Sequence, residues 1–174
     1  MWNPETLRAY TAAVADVIGR DDVQAMAAQP QHVPGVSCLD HSLFVSYVAF
    51  VLCRALHLNA AAAARAGLLH DMHLSAPPHS RREWWRHLRR HPEEAVRNAQ
   101  ACGISALEAD IIAKHMWPLS LTRVPRYRES FVVNLVDTLC AGCELTHVYA
   151  LLGVDKWLGR FNRSRAVLAG ETGL

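Results

Sequence analysis

The sequence lacks most of the signatures that assign a chain to a common catalytic class. It contains no Gly-x-Ser-x-Gly elbow and no phosphate-cradling glycine loop, so the sequence signals neither an elbow-borne serine nucleophile nor a P-loop. No segment alternates apolar and polar residues with a sustained period of two, so nothing predicts a sheet. The five cysteines, an odd number (Cys38, Cys53, Cys102, Cys140 and Cys143), do not resemble a secreted disulfide framework. A reducing, cytoplasmic setting is expected. Met1 to Val17 has neither a basic leader nor an unbroken apolar core, which reads as no signal peptide. The longest apolar run, Leu43 to Cys53, is too short to cross a bilayer, so no membrane is expected. A net charge of +2 gives no global field that would draw the chain to nucleic acid. Internal repeats are absent.

The chain has 174 residues, one domain's worth, and about half are apolar. Ten histidines are the outlying feature, and histidine is the commonest metal ligand. Hydrophobic periodicity predicts helices throughout. Thr6 to Ile18 and Asp21 to Ala28 come first, then a loop at Gln29 to Ser37 carrying Pro30, Pro34 and Gly35. Leu39 to His57 is apolar on most faces and reads as the central helix. Asn59 caps an alanine-rich helix over Ala60 to Leu69. Pro77-Pro78 breaks the chain before a short basic helix at Arg81 to Arg90. His91-Pro92-Glu93-Glu94 starts another helix, to about Cys102, with Pro in the first turn. Ser105 opens the helix that carries His115. Arg126 to about Leu152 is the longest, with Phe131, Val132, Leu135, Val136 and Leu139 turned inward. A last short helix covers Asp155 to Leu168. The fold class is all-α. It reads as one domain over residues 1–174, a core at about 38–150 with helices 5–28 and 155–168 packed on it.

The chain is organised around Ala66-Gly67-Leu68-Leu69-His70-Asp71. Imidazole and carboxylate suit zinc, iron and manganese, and neighbouring helical residues point about 100° apart, enough to reach two sides of an ion. The plain alternative is a buried histidine bonded to a helix-end carbonyl beside a capping aspartate. Around the pair, His41, His91, His115 and Asp137 each sit on a different predicted helix. His41 and His91 stand at helix starts, where capping is an alternative. His115 stands at a helix end, where it would favour the dipole. Asp137 interrupts an apolar face, so it must pair with a cation or hydroxyl across the core, or bind a metal.

The order His41…His70-Asp71…Asp137 resembles the motif of the HD-domain superfamily of metal-dependent phosphohydrolases, over about His41 to Glu144. The intervening His91 and His115 are similar to those of its two-metal branch. Phrases such as His115-Met116-Trp117-Pro118-Leu119 and Pro125-Arg126-Tyr127-Arg128-Glu129-Ser130 resemble small stand-alone bacterial members. The resemblance implies that His41, His70, Asp71 and Asp137 hold one divalent ion. Asp71 would bridge to a second ion held by His91 and His115. Iron and manganese lead as the metals, with zinc, cobalt, nickel and magnesium also compatible. Two ions about 3.5–4 Å apart can share and deprotonate a water, polarise a phosphoryl oxygen and steady the leaving oxygen. The implied activity is hydrolysis of a small phosphate ester, nucleotide-like or otherwise, with Asp71 orienting the nucleophile.

Arginines flank the ligands, and their planar forks suit phosphate. Arg82, Arg123 and Arg126 are the candidate substrate contacts, a solvated basic face being the alternative. His87, four residues before His91, is the candidate proton donor or extra ligand, with His73 and His79 nearby. Two features depart from the cyclic-dinucleotide phosphodiesterases: His115-Met116 stands where they pair two histidines, and the Gly-Tyr-Pro signature is missing. Where many members carry a lysine after the His-Asp pair, this chain has His73. Three rival readings stand beside this one. A di-iron oxygenase of the same superfamily would use the same ligand set, and a sensing module would use it without catalysis. Nucleic-acid binding through Arg81 to Arg90 with Trp84 and Trp85 is the weakest of the three. Cys140-Ala-Gly-Cys143 has redox spacing but lies within a helix, and reads as two buried thiols. A homodimer stays open.

Overall fold

Ser37 sets the register of the central helix. Its hydroxyl accepts from the Asp40 backbone N–H, and the Asp40 carboxylate accepts from Ser37 in return, a capping box that satisfies two otherwise unpaired donors. The computed structural model describes residues 3–31, 33, 35–72, 80–146, 153, 154, 156–158 and 161, the side chains of residues 84, 85 and 87–89 excepted. Its α-helices in chain order are α1 (Pro4–Ile18), α2 (Asp21–Gln24), α3 (Cys38–Ala55), α4 (Ala60–Leu69), α5 (Arg81–Ala99), α6 (Ala106–Lys114) and α7 (Arg128–Leu145). Short 3₁₀ turns follow α2 and α5. Among the described residues no strand forms, and the fold is an all-α single-domain bundle.

α3 and α4 make the most extensive pairing, with α7, α6 and α1 packed around them. The close approach has a specific cause. A Cβ on Gly67 would lie 3.0 Å from the Ser46 Cα and 3.3 Å from its nitrogen, so glycine lets the two backbones meet there without crowding. Ser46 Oγ donates to the Ala64 carbonyl at 2.6 Å and accepts from the Tyr10 hydroxyl at 3.0 Å, tying α1 to the same seam. Tyr10 also anchors an aromatic cluster with Tyr47, Phe50, Trp157 and Phe161. Arg65 staples α4 to its neighbours through Asp16, Glu108 and the Cys102 carbonyl.

Several sequence expectations need correction. The two helices predicted on either side of His91 are one, α5, with Pro92 inside it. An interior proline costs about 3 kcal/mol, but His91, Pro92, Ala95 and Ala99 are buried on one continuous stripe, and this burial holds the helix through the defect. The inward face of α7 is Val133, Asn134, Val136, Cys140 and Glu144. Phe131, Leu135 and Leu139, expected inside, are exposed. The helix is apolar on more than one face, so periodicity could not choose between them. α7 starts at Arg128 and ends at Leu145; residues 147–152 lie outside the described ones. Of the C-terminal helix, residues 154, 156–158 and 161 are described as helical. α3 extends the apolar run at both ends to 18 residues, long and apolar enough to cross a membrane. Two thirds of it is buried within the fold, as befits the central helix. Cys140 is buried and Cys143 only half-buried, and both are free thiols.

Candidate metal centre

The alanine-rich helix α4 ends at His70, which sits at the cap position with helical dihedrals. The ring turns back on its own helix, so that Nδ1–H donates to the Gly67 carbonyl at 2.8 Å. His70 is thus a buried histidine bonded to a helix-end carbonyl, and that bond sets its tautomer. With the proton held on Nδ1, the lone pair lies on Nε2. That atom is buried without a hydrogen-bond partner, 3.4 Å from Asp71 Oδ2 and 3.5 Å from Asp137 Oδ1. His115 repeats the arrangement at the end of α6, donating Nδ1–H to the Ile112 carbonyl at 2.8 Å.

Six residues from five helices and the turn after α4 converge at these nitrogens. His91 Nε2 lies 2.8 Å from His115 Nε2, and each is 3.6 Å from Asp71 Oδ1. His41 Nε2 lies 3.0 Å from Asp137 Oδ1. The two oxygens of Asp71 thus face different histidines, Oδ1 toward His91 and His115 and Oδ2 toward His70. Two groups have metal-binding proximity, His41 with His70 and Asp71, and Asp71 with His91 and His115. Atoms held by one ion at about 2.0–2.2 Å lie roughly 3.0–3.5 Å from one another. The separations of 2.8–3.6 Å found here bracket that interval. Together with the orphaned Nε2 of His70, they fit a divalent cation of the kind that imidazole and carboxylate favour.

The electrostatics follow from packing histidines around buried carboxylates. Burial alone would raise the Asp71 carboxyl, but His70, His115 and His91 hold it well below the usual carboxylate range. Asp137 is depressed in the same way, against its burial, by His70 and His41. Burial would lower His41, yet hydrogen bonds to Asp137 and Glu144 push it up to about 10. His70 is also raised, its burial outweighed by Asp71 and Asp137. His115 is lowered by burial and by His70.

Of the residues singled out in the sequence, His41, His70, Asp71, His91, His115 and Asp137 come together. Helix capping does not occupy His41, because Ser37 caps α3, nor His91, which lies in mid-helix. Asp137 meets His41 and not an arginine or serine. Arg82 and Arg126 are exposed, Arg126 lying over the Tyr127 ring. Arg123 pairs with Glu93. His73, His79 and the side chain of His87 lie outside the described residues.

Three supporting residues were not anticipated. Glu144 Oε1 lies 2.7 Å from His41 Nδ1, and its spacing of seven from Asp137 on one helical face was a usable signal. Gln31 Nε2 donates to Asp71 Oδ2 at 2.8 Å from the loop before α3, a contact with no sequence signature. Asn134 Nδ2 donates to the His115 and Trp117 carbonyls, fixing the end of α6 against α7.

No curated protein and no solved structure matches the chain. The sequence pattern of the HD domain matches residues 38–142, from the first residue of α3 into α7. That stretch takes in all six converging residues, and the chain belongs to the HD domain family.

Proposed function

We propose that the protein is a metal-dependent phosphohydrolase with a dinuclear centre, acting on a small phosphate ester. The observation that carries this reading is the division of Asp71, with one carboxylate oxygen facing His91 and His115 and the other facing His70. His41, His70, Asp71 and Asp137 would hold one ion, and Asp71, His91 and His115 the other, with iron or manganese the leading candidates. Two such ions polarise a phosphoryl oxygen and lower the pKa of water. The chain's own residues supply the rest. The Gly67 and Ile112 carbonyls hold protons on Nδ1 of His70 and His115, so that both rings present Nε2 to the centre. Gln31 steadies Asp71 Oδ2, and Asp71 would orient the attacking nucleophile.

Arg82, Arg123 and Arg126 are proposed as phosphate contacts, and His87 as proton donor. For Arg123 this requires exchange of its Glu93 partner for substrate. Five free thiols accord with the reducing, cytoplasmic setting proposed for the protein.

Metal analysis of protein purified without chelator tests this, comparing wild type with Asp71→Ala and His115→Ala. The same samples go onto a panel of phosphomonoesters and nucleotides, with manganese or iron added, in air and under nitrogen. Close to two ions per chain, lost in the variants, with oxygen-independent phosphate release, is the expected result. Two irons with oxygen uptake and no phosphate release would replace hydrolysis by oxygenase chemistry. Failure to retain or reload any metal would end the proposal.

A further inference from the structure

Glu144 is fully buried on α7. Its Oε1 lies 2.7 Å from His41 Nδ1, and its Oε2 has no hydrogen-bond partner. Burying a carboxylate is costly unless it is well served by donors, and one imidazole N–H with an orphaned second oxygen serves it poorly. A leucine would fill the same space at lower cost. Stability alone therefore does not explain an acid at this position, whereas its partner does. His41 is gripped at both nitrogens from one helix, by Asp137 at Nε2 (3.0 Å) and by Glu144 at Nδ1 (2.7 Å). His70 and His115 are oriented differently, each by a backbone carbonyl of its own helix. At His41, in the first turns of α3, a carboxylate from α7 takes the place of that carbonyl.

We propose that Glu144 is a positioning residue for the ion bound by His41, His70, Asp71 and Asp137. It accepts Nδ1–H of His41, fixing the ring and its tautomer so that Nε2 presents its lone pair to the ion. It also places an added negative charge behind the ligand, which makes the ring a better donor. The inference rests on the metal-centre reading given above and deepens it. The first ion has a carboxylate behind one of its histidines, whereas His115 at the second is held by a neutral carbonyl.

The test is zinc titration by chelator competition on the full chain, comparing wild type, Glu144→Ala and Glu144→Gln. Loss of an orienting partner weakens metal affinity roughly tenfold to a hundredfold. That loss is expected in Glu144→Ala for one ion of the two, with the other little changed. Glu144→Gln retains an oxygen acceptor for Nδ1–H and should recover most of the loss. In zinc-loaded protein labelled with ¹⁵N-histidine, His41 should show a protonated Nδ1 and a metal-bound Nε2 in wild type and Glu144→Gln. In Glu144→Ala that signature should be lost or exchange-broadened. Wild-type affinity for both ions in Glu144→Ala overturns the inference, as does a glutamine variant no better than the alanine one. Should Glu144→Ala not fold, Glu144→Leu keeps the volume without the acceptor and carries the same expectation. If wild type itself takes up no zinc, the metal-centre reading fails and this inference with it. If wild type takes up two ions and the variants do likewise, only the role of Glu144 fails.

Discussion

In the metal-free protein the His41 ring has a carboxylate oxygen at each nitrogen, 3.0 Å away on Asp137 and 2.7 Å away on Glu144. Burial disfavours the charged ring, but the two hydrogen bonds prevail and push its pKa up to about 10. An ion binding at Nε2 must displace that proton. From pH 7 to a pKa of about 10 is three units, so the proton competes with the ion by about a thousandfold at pH 7, or ~4 kcal/mol. Zinc affinity should therefore rise at least about tenfold per pH unit between pH 7 and 9, with at least about one proton released per ion at that site, because His70 is raised as well. The metal-free protein should respond in the opposite sense. A group raised above its ordinary value of 6.5 contributes stability that is complete below 6.5 and is lost as pH rises through about 10. Chelator competition at pH 7, 8 and 9 gives the slope, and calorimetry in buffers of different protonation enthalpy counts the proton. Urea melts of the metal-free protein over the same range give the opposing trend. A flat affinity with no proton release, or a metal-free protein more stable at pH 9 than at pH 7, would refute the reasoning.

Gly67→Ala should destabilise the fold. Its Cβ would meet the Ser46 backbone at 3.0 Å, and because backbone yields less than a side-chain tip the cost should fall toward the upper end of about 1–3 kcal/mol, above the gain of about 1 kcal/mol from helix propensity; an unchanged urea midpoint would show that α3 and α4 have room to part. Ser37→Ala removes the capping box of α3 and should cost about 1 kcal/mol, a fall of about 2–4 °C in Tm for a chain of this size. Leu135→Lys, on the exposed side of α7, should change stability by less than about 0.5 kcal/mol. A loss of several times that, or a change in oligomeric state by light scattering, would mean that this face is covered in solution.

The helices were legible where one face was polar or a cap was explicit. Asn59 and Ser105 start α4 and α6 where the sequence places them, because a short oxygen-bearing side chain before an apolar run has few other uses. Legibility failed where local rules competed with burial. His91-Pro92 reads locally as a helix start, yet the buried stripe from His91 to Ala99 carries α5 through the proline. On α7, two faces are apolar, and what distinguishes the buried one is that Asn134 and Glu144 lie on it, with Asp137 on the same side facing His41. The polar residues, and not the large apolar ones, mark the inside of that helix.

The same inversion accounts for how much of the site could be read. The six converging side chains stand out because a carboxylate or imidazole within an apolar helix is costly to bury without a partner or an ion. The residues that aim them do not stand out. Gly67 and Ile112 act through backbone carbonyls, which any residue type would provide, and Gln31 acts from an irregular loop. Glu144 alone carried a signal, seven residues beyond Asp137 on the same helical face. Of the three groups that hold Nδ1 of His41, His70 and His115, it is also the one that acts through its side chain. A sequence can therefore disclose which atoms converge on a metal centre, while the tautomers that make those atoms donors are set largely by backbone geometry that only the fold creates.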